Sequence, residues 1–358
     1  MTVSRVANGQ AGVSPQTAAR VRQVIKTLGY HRNELADQLR RGRSTATLGL
    51  VVNDISNPFY ATLARAVEEE AHRRGYLVWA GSTNEEPDRE HHLIASLCER
   101  RVGGFIVVPV SAPHDLLRTQ RDMGTPLVVV DRPSDALDTD AVLIDNQEGA
   151  GQAIGHLARQ HHTRIAYLGN DDRVWTARQR HEGYRRALGQ AGIGYDAALV
   201  RQGLRNTELA EAATRSLLNL PDPPTALFCA NNVITTGAIR ALSGRTHDIA
   251  VVGFDDFPLA ELLDPPVTVL AHDPGKLGTL AAQLLFARID GDCSPPREVI
   301  LHPQLIPRGS GEIPPRPPAG RRLCGRARQA DRTKGTAVTG DGVTSGGYEQ
   351  ARAMRQEL

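Results

Sequence analysis

The sequence predicts an α/β protein with two parallel sheets, preceded by a small helical segment. From residue 47 to about residue 308, short apolar runs alternate with amphipathic helical segments. Strands that are apolar throughout are typical of parallel sheets covered by helices on both faces. This alternating region is long enough to favour two sheets over one.

The net charge of +2 conceals an uneven distribution along the chain. Residues 1–46 carry eight Lys and Arg residues against two acids, whereas residues 47–308 carry 25 against 33. Residues 309–358 carry nine against five. A basic segment in front of an acidic body indicates that the N-terminus contacts a polyanion.

Two helices are predicted before the first strand. Ser14 followed by Pro15 fits an N-cap and a first helical position, and Gly29 fits the C-terminal end of that helix. Between them an apolar stripe with helical spacing is formed by Val21, Val24, Ile25 and Leu28. A second, shorter helix is predicted over residues 33–41, ending at Gly42.

The strands of the two sheets are predicted in chain order. The first half contributes LGLVV, YLVWA, GFIVVPV, PLVVVD and AVLID, with helical segments such as HHLIASLCER between the earlier strands. The second half contributes RIAYLG, TALFCA and IAVVGF, separated by helices such as EGYRRALGQAG. Residues 311–358 are rich in Pro, Gly, Arg, Ser and Thr without apolar periodicity, which predicts a disordered basic tail.

Several classes of protein are disfavoured. No apolar run approaches the ~18–20 residues that span a bilayer, and the N-terminus lacks a signal-peptide pattern. We therefore expect a cytoplasmic protein. The four cysteines are far apart, and no P-loop, GxSxG, HExxH or helix-opening GxGxxG occurs. The adjacent pairs His91-His92 and His161-His162 lack metal-ligand spacing, so we expect no enzyme, no metal and no cofactor.

Blocks of sequence along residues 2–310 resemble the LacI/GalR (lactose-repressor-like) family of bacterial transcriptional regulators. The blocks occur in the family's order and include TVSRVANG, TLGLVVNDISNPFYATLARAVEEEAHRRGY, CANNVITTGAIRAL and VVGFDDFPLAELLDPPVTVL. The resemblance implies a helix-turn-helix headpiece, a hinge helix and two periplasmic-binding-protein-like (type I) subdomains. Three chain crossovers connect the subdomains, and an effector binds in the cleft between them.

The resemblance also implies domain boundaries. The headpiece covers 1–31, the hinge helix and linker 32–46, and the effector-binding core 47–310. Within the core, 47–146 with 274–299 form the N-terminal subdomain, and 147–273 with 300–310 form the C-terminal one. The family has a further helix before the TVSRV motif, which here follows Met1 directly. We therefore expect an incomplete headpiece or a start codon upstream of Met1.

Residues of the headpiece match family positions that contact DNA. Arg5 can donate two hydrogen bonds to guanine O6 and N7 in the major groove. The remaining matches are Thr2, Ser4, Asn8, Ser14 and Thr17, whose short side chains suit base edges or phosphates. Each of them could instead be an ordinary helix cap or a solvated polar residue.

The hinge segment carries a second group of predicted DNA contacts, namely Asn33, Ala36 and Leu39. Leu39 matches the family's apolar lever, which enters the minor groove and bends the DNA. It could instead pack against the core. Asp37 departs from the polar or basic residue that the family often carries there, and a carboxylate near the minor groove repels phosphate.

Eight residues are predicted to bind the effector. Most of them follow a strand, where ligands of open parallel sheets bind. They are Phe59, Tyr60, Asp131, Arg132, Thr176, Arg180, Asn231 and Asp255. Asp131 and Asp255 could instead cap the next helix. Asn232 replaces an aspartate that is common in the family. The set suits a sugar, and it suits a nucleoside or a carboxylate nearly as well.

The predicted function is that of a ligand-responsive, DNA-binding repressor. Its partners are operator DNA, a small-molecule effector with a sugar as the favoured class, and a second copy in a homodimer. The effector would shift the population of conformations and release the hinge helices from the minor groove. The alternative is a sugar-binding module that has lost DNA binding because its headpiece is truncated.

Overall fold

The computed structural model describes residues 2–7, 12–28, 46–110, 113–134 and 136–315. Two helices precede the first strand, α1 (Thr2–Ala7) and α2 (Pro15–Thr27). The Ser14 hydroxyl accepts a hydrogen bond from the Thr17 backbone N–H, so the predicted N-cap is confirmed. The apolar stripe of α2 is only partly covered, because Val24 and Leu28 are exposed. The predictions for Asn8, for the hinge residues Asn33, Ala36 and Leu39, and for 316–358 lie outside the described residues.

The first sheet contains six parallel strands in the order β11-β5-β4-β3-β1-β2. Its strands are β1 (Thr47–Val52), β2 (Leu77–Ser82), β3 (Phe105–Val107), β4 (Leu127–Val130), β5 (Asp140–Ile144) and β11 (Glu298–Leu301). Its helices are α3 (Pro58–Arg73), α4 (Pro87–Glu99), α5 (Asp115–Asp122) and α10 (Pro274–Ile289). Continuous burial of the central strands explains their apolar composition.

The second sheet has the order β12-β10-β9-β8-β6-β7. Its strands are β6 (Ile165–Leu168), β7 (Val200–Arg201), β8 (Ala226–Cys229), β9 (Ala250–Phe254), β10 (Thr268–Ala271) and β12 (Gln304–Ile306). Its helices are α6 (Asn146–Arg159), α7 (Trp175–Gln190), α8 (Thr207–Leu218) and α9 (Asn232–Ala241). All neighbouring strands are parallel except β10 and β12. The predicted fold class is confirmed, with one antiparallel edge.

Helices pack closely where a glycine removes the side chain. A Cβ on Gly278 of α10 would collide with the Leu63 carbonyl of α3, and one on Gly183 of α7 would lie 2.7 Å from the Gln147 carbonyl of α6. Each sheet is therefore covered by a tightly packed helix pair. No helix in the described ranges has both the length and the apolar character needed to cross a bilayer.

The chain passes between the sheets at three short segments, after β5, after β10 and after β11. Strand β11 stays in the first sheet to Leu301, two residues beyond the predicted boundary at 299. Residues 311–315, which were assigned to the disordered tail, are ordered. They are held because the Ser310 hydroxyl donates to the Val251 carbonyl (2.6 Å), and because the Ile313 carbonyl lies 2.8 Å from His162 Nε2.

Candidate functional site

A cleft between the two sheets is lined by residues that follow the carboxyl ends of their strands. Its inner part is a pocket of about 60 Å³, and its outer part has a volume of about 720 Å³. The two parts share Asn53, Glu85, Arg132, Asn170 and Val174, so they adjoin each other. All eight residues predicted to bind the effector line the inner pocket.

The first subdomain contributes a hydrogen-bonded group around Asp131, which follows β4. The Tyr60 hydroxyl donates to Asp131 Oδ2 (3.1 Å), and Arg132 Nε lies 3.7 Å from the same oxygen. The Arg132 guanidinium forms a two-point ion pair with Glu85, at 2.5 and 2.7 Å. Burial raises the pKa of the Asp131 carboxyl and that of the Tyr60 hydroxyl. On this side of the pocket each polar group orients the next through a hydrogen bond or ion pair.

The second subdomain contributes Arg180 from α7. Its Nε donates to Asn146 Oδ1 (2.7 Å) and its Nη1 to the Ala230 carbonyl (2.5 Å). The same Nη1 lies 3.5 Å from Asp255 Oδ2, and the guanidinium carbon stands 3.7 Å from the centre of the Phe254 ring. One side chain therefore joins the first crossover segment to the ends of β8 and β9.

His272 is a pocket neighbour that the sequence analysis missed. It lies on the crossover after β10, and its ring packs edge-on against Phe59, with ring centres 5.3 Å apart. Nε2 is 3.7 Å from Asp255 Oδ1, and neither ring nitrogen has a hydrogen-bond partner among the described residues. Burial lowers the pKa of His272, so the imidazole is neutral. His272 directly follows the end of β10, as Asp131 and Asp255 follow the ends of their strands. The same positional rule could therefore have predicted it as a pocket residue.

Of the predicted pocket residues, Asn231 caps a helix, whereas Asp131 and Asp255, for which capping was the alternative role, do not. Asn231 Oδ1 accepts a hydrogen bond from the Ile234 N–H (2.8 Å) and caps α9, so this oxygen already has a partner. Neither Asp131 nor Asp255 precedes a helix. Both have left-handed backbones, with φ of 69° and 66°, as do Asn84 and Glu85 in the outer cleft. Four of the seven described non-glycine residues with positive φ thus line the cleft, and such strain concentrates at ligand sites.

The predicted DNA-contacting residues are described in part. Thr2 and Arg5 are exposed on α1, and Ser4 lies within the same helix. Ser14 and Thr17 are exposed at the start of α2, where the Ser14 hydroxyl also donates to Thr17 Oγ1 (2.9 Å). Ser14 therefore caps α2, as the alternative interpretation expected. Both side chains are nevertheless exposed and accessible to a phosphate.

Three side chains near two crossover segments have the composition of a metal-binding group, Asp145, Glu148 and His302. Asp145 Oδ1 accepts from the Glu148 N–H (2.8 Å), and Glu148 Oε2 lies 2.6 Å from His302 Nδ1. The carboxylates thus already serve as a helix cap and as the partner of the imidazole. This hydrogen bond raises the pKa of His302.

Comparison with known proteins identifies the family. Residues 1–33 match bacterial regulatory proteins of the lacI family, and residues 154–311 match a periplasmic binding protein-like domain. An HTH-type transcriptional repressor PurR from Mannheimia succiniciproducens is 31% identical, covering 86% of this chain and 94% of its own length. This chain belongs to the LacI family. It is a DNA-binding transcriptional regulator, and the predicted family is confirmed.

Two solved structures resemble this LacI-family regulator over most of its length. A complex of the transcriptional regulator CelR with cellobiose has a TM-score of 0.67 at 32% identity, covering 86% of this chain and 94% of the other. The lac repressor dimer bound to operator and the anti-inducer ONPF has a TM-score of 0.75 at 24% identity, covering 87% and 94%. The second likeness establishes the fold of the LacI-family core.

Proposed function

We propose that this regulator is a homodimeric repressor whose affinity for operator DNA changes when a sugar binds in the inner pocket. One observation carries the proposal. Asp131 from the first subdomain and Arg180 and Asp255 from the second converge on a single pocket. A ligand held by all three contacts both subdomains, so its binding energy depends on how the subdomains are placed.

The buried polar atoms of the pocket that lack a hydrogen-bond partner favour a ligand that both donates and accepts. Among the described residues, Asn53 Oδ1 and Asp255 Oδ1 are acceptors without a donor, and Arg132 Nε is a donor without an acceptor. Ligand hydroxyl groups would satisfy them, and a buried polar atom left unsatisfied costs about 1–3 kcal/mol. Neutral sugars supply such donors, and the CelR relative binds one, cellobiose.

A carboxylate ligand suits the pocket less well. Both guanidinium groups already contact carboxylates, Arg132 with Glu85 and Arg180 with Asp255. Three carboxylates line the pocket against two guanidinium groups. An added anion would therefore meet net repulsion in a poorly solvated space. We place carboxylates behind neutral sugars, and nucleosides remain the alternative neutral class.

We propose that effector binding makes the helical N-terminus either release or bind operator DNA. Arg5 and the other predicted headpiece residues would read the DNA, and Leu39 would bend it. The effector would alter how the first subdomains of the two protomers are spaced. We propose that the protein regulates and does not catalyse, so the sugar should be recovered unchanged.

Two titrations test this proposal. Isothermal titration calorimetry would be run with neutral sugars, nucleosides and sugar acids. A gel shift on promoter DNA from the protein's own locus would be run with and without the ligand that binds. The gel shift would use this chain and a version extended by any upstream in-frame codons. We expect neutral sugar binding and a specific shift that the sugar changes. Sugar binding without any shift from either version would favour the DNA-independent sugar-binding module, and binding of sugar acids alone would reject the proposed effector class.

A further inference from the structure

The outer cleft is large and adjoins the inner pocket, with which it shares five lining residues. Its volume of about 720 Å³ lies within the ~300–1,000 Å³ typical of small-molecule sites, whereas the inner pocket measures about 60 Å³. A ligand confined to the inner pocket would leave most of this space unused. The outer cleft can therefore hold an extension of the same ligand.

Trp175 presents an unpartnered indole to this outer space. It is the first residue of α7, is partly exposed and lines the outer cleft but not the inner pocket. Within the described part of the chain its ring stacks on no other ring or guanidinium, and its N–H donates no hydrogen bond. The indole of Trp79, in contrast, is covered by the Arg100 guanidinium at 4.9 Å. An amphipathic ring without an aromatic or cationic partner and with a free donor suits the apolar face and the hydroxyl groups of a sugar ring.

The first-subdomain wall of the outer cleft is a turn in a strained conformation. Asn84 and Glu85 are consecutive left-handed residues, with φ of 53° and 61°. The turn is held because the Asn84 N–H donates to the Asn53 carbonyl (2.8 Å) and because Glu85 pairs with Arg132. Such a conformation is strained and persists where the surrounding contacts hold it, as at ligand clamps. The Asn84 carboxamide lines the cleft, where it can exchange hydrogen bonds with hydroxyl groups.

The charges of the outer cleft favour a neutral extension. Asp54, Glu86 and Asp88 line it and carry negative charge. Of the three arginines that line it, Arg132 is paired with Glu85, and Arg173 and Arg205 face the carboxylate of Asp171, at 2.6 and 3.6 Å. A phosphate or carboxylate on the extension would therefore find few free cations and several anions.

We propose that the outer cleft is a second saccharide subsite and that the effector is a neutral oligosaccharide of at least two rings. One ring enters the inner pocket as far as its volume of about 60 Å³ allows, and the next stacks on the Trp175 indole. This inference rests on the proposed sugar-binding function of the inner pocket. In this proposal Trp175 determines specificity for the number of sugar rings in the effector.

The test uses Trp175 as its own reporter. The chain contains two tryptophans, so Trp79→Phe leaves Trp175 as the single one. The W79F protein would be titrated with matched pairs, glucose and cellobiose, glucose and maltose, and galactose and lactose. Tryptophan emission and acrylamide quenching would be recorded beside calorimetry. We expect one disaccharide to change the emission and to protect Trp175 from acrylamide. The W175F protein, which keeps only Trp79, is the matched control and should show no such change.

Affinity measurements complete the test. Trp175→Ala should weaken disaccharide binding by about fivefold or more and leave binding of the matching monosaccharide unchanged. Trp175→Phe should restore most of the loss, because a phenyl ring still offers a stacking face. Disaccharides that bind no tighter than their monosaccharides, or that bind without changing Trp175 emission, would overturn the second subsite while leaving the inner pocket intact. Calorimetry that detects no saccharide of either length would instead reject the proposed function, and the subsite with it.

Discussion

Asn57 and Asn232 exchange two hydrogen bonds between their side-chain amides, across the cleft that separates the two sheets. Asn57 Nδ2 donates to Asn232 Oδ1 (3.3 Å), and Asn232 Nδ2 donates to Asn57 Oδ1 (2.9 Å). Asn57 caps α3 in the first subdomain, and the buried Asn232 begins α9 in the second. The pair joins the two subdomains beside the inner pocket without using a charge, so its own contribution does not depend on pH over a wide range.

Replacing both amides by carboxylates should open the cleft. In Asn57→Asp with Asn232→Asp two anions would face each other where two hydrogen bonds now form. We expect effector affinity at pH 7 to fall about tenfold or more, because repulsion at this distance costs more than 1.4 kcal/mol at the effective dielectric of a protein surface. Small-angle X-ray scattering should show a larger radius of gyration. Aspartate still caps α3, so the helix itself is preserved.

The two single variants are the controls for that experiment. Each leaves one amide facing one carboxylate, which retains a hydrogen bond. They should lose much less affinity than the double variant, and the double variant should recover as the pH falls and the carboxylates take up protons. Equal losses in all three proteins would show that the amide pair does not control closure.

Arg180 should be irreplaceable by lysine in effector binding. Its Nε and Nη1 donate in different directions, to Asn146 and to Ala230, and its planar group lies over Phe254. A lysine ammonium keeps the charge but cannot reproduce this geometry. We expect Arg180→Lys to weaken effector binding about 10- to 100-fold, the range for losing hydrogen bonds to a charged group. Calorimetry measures the loss, and unchanged binding would remove Arg180 from the proposed site.

His162 should make the protein less stable in mild acid. The buried ring bonds to Thr225 Oγ1 (2.9 Å) and to the Ile313 carbonyl (2.8 Å), and burial lowers its pKa. The nearby His156 and His161 lower it further when charged. The unfolded chain takes up a proton near pH 6.5 while the folded chain does not. The stabilisation is therefore complete above that pH and is lost as the pH falls through the folded pKa.

Urea unfolding between pH 7.5 and 5 measures this effect. His162→Gln should flatten the decline of the unfolding free energy with falling pH. His302 provides a control of opposite sign, because Glu148 raises its pKa. Its contribution is present below pH 6.5 and is lost as the pH rises, so His302→Gln should not flatten the acid decline. An unchanged slope in His162→Gln would place the acid sensitivity elsewhere, with His272 as the next buried histidine of lowered pKa.

Local patterns in the sequence predicted the capped helix α2 and eight of the twelve described strands, but not β7, β10, β11 or β12. Local patterns and the family resemblance together predicted the inner-pocket residues. Pocket residues such as Asp131 and Asp255 could be predicted because the carboxyl ends of parallel strands meet at one edge of a sheet. Contacts across the cleft could not. The Asn57–Asn232 pair joins residues 175 positions apart, and no local pattern encodes the approach of two separately folded sheets.

The remaining differences between the predictions and the structure arise where a side chain or segment has a hydrogen-bond partner that the sequence pattern does not reveal. Asn231 looked like a free ligand-binding amide, but its oxygen caps α9. Trp175 could not be predicted as a site residue, because it belongs to no repeating pattern of the sequence. A single aromatic residue at the start of a helix is also common in protein cores. Residues 311–315 have the composition of a tail, yet a hydrogen bond to His162 and the packing of Ser310 order them.

The exposed Arg5 on α1 should supply sequence specificity rather than general affinity for DNA. A guanidinium that donates two hydrogen bonds to guanine is worth about 1–3 kcal/mol of discrimination. We therefore expect Arg5→Ala to weaken operator binding about 10- to 100-fold while binding to unrelated DNA changes little. Arg20, exposed on α2, is the matched control. We expect a cation that meets only phosphate there to affect both DNAs equally, so Arg20→Ala should weaken both and lower the salt dependence. Fluorescence anisotropy on the two DNAs at several salt concentrations separates these effects, and an equal loss on both in Arg5→Ala would assign Arg5 to the phosphate backbone.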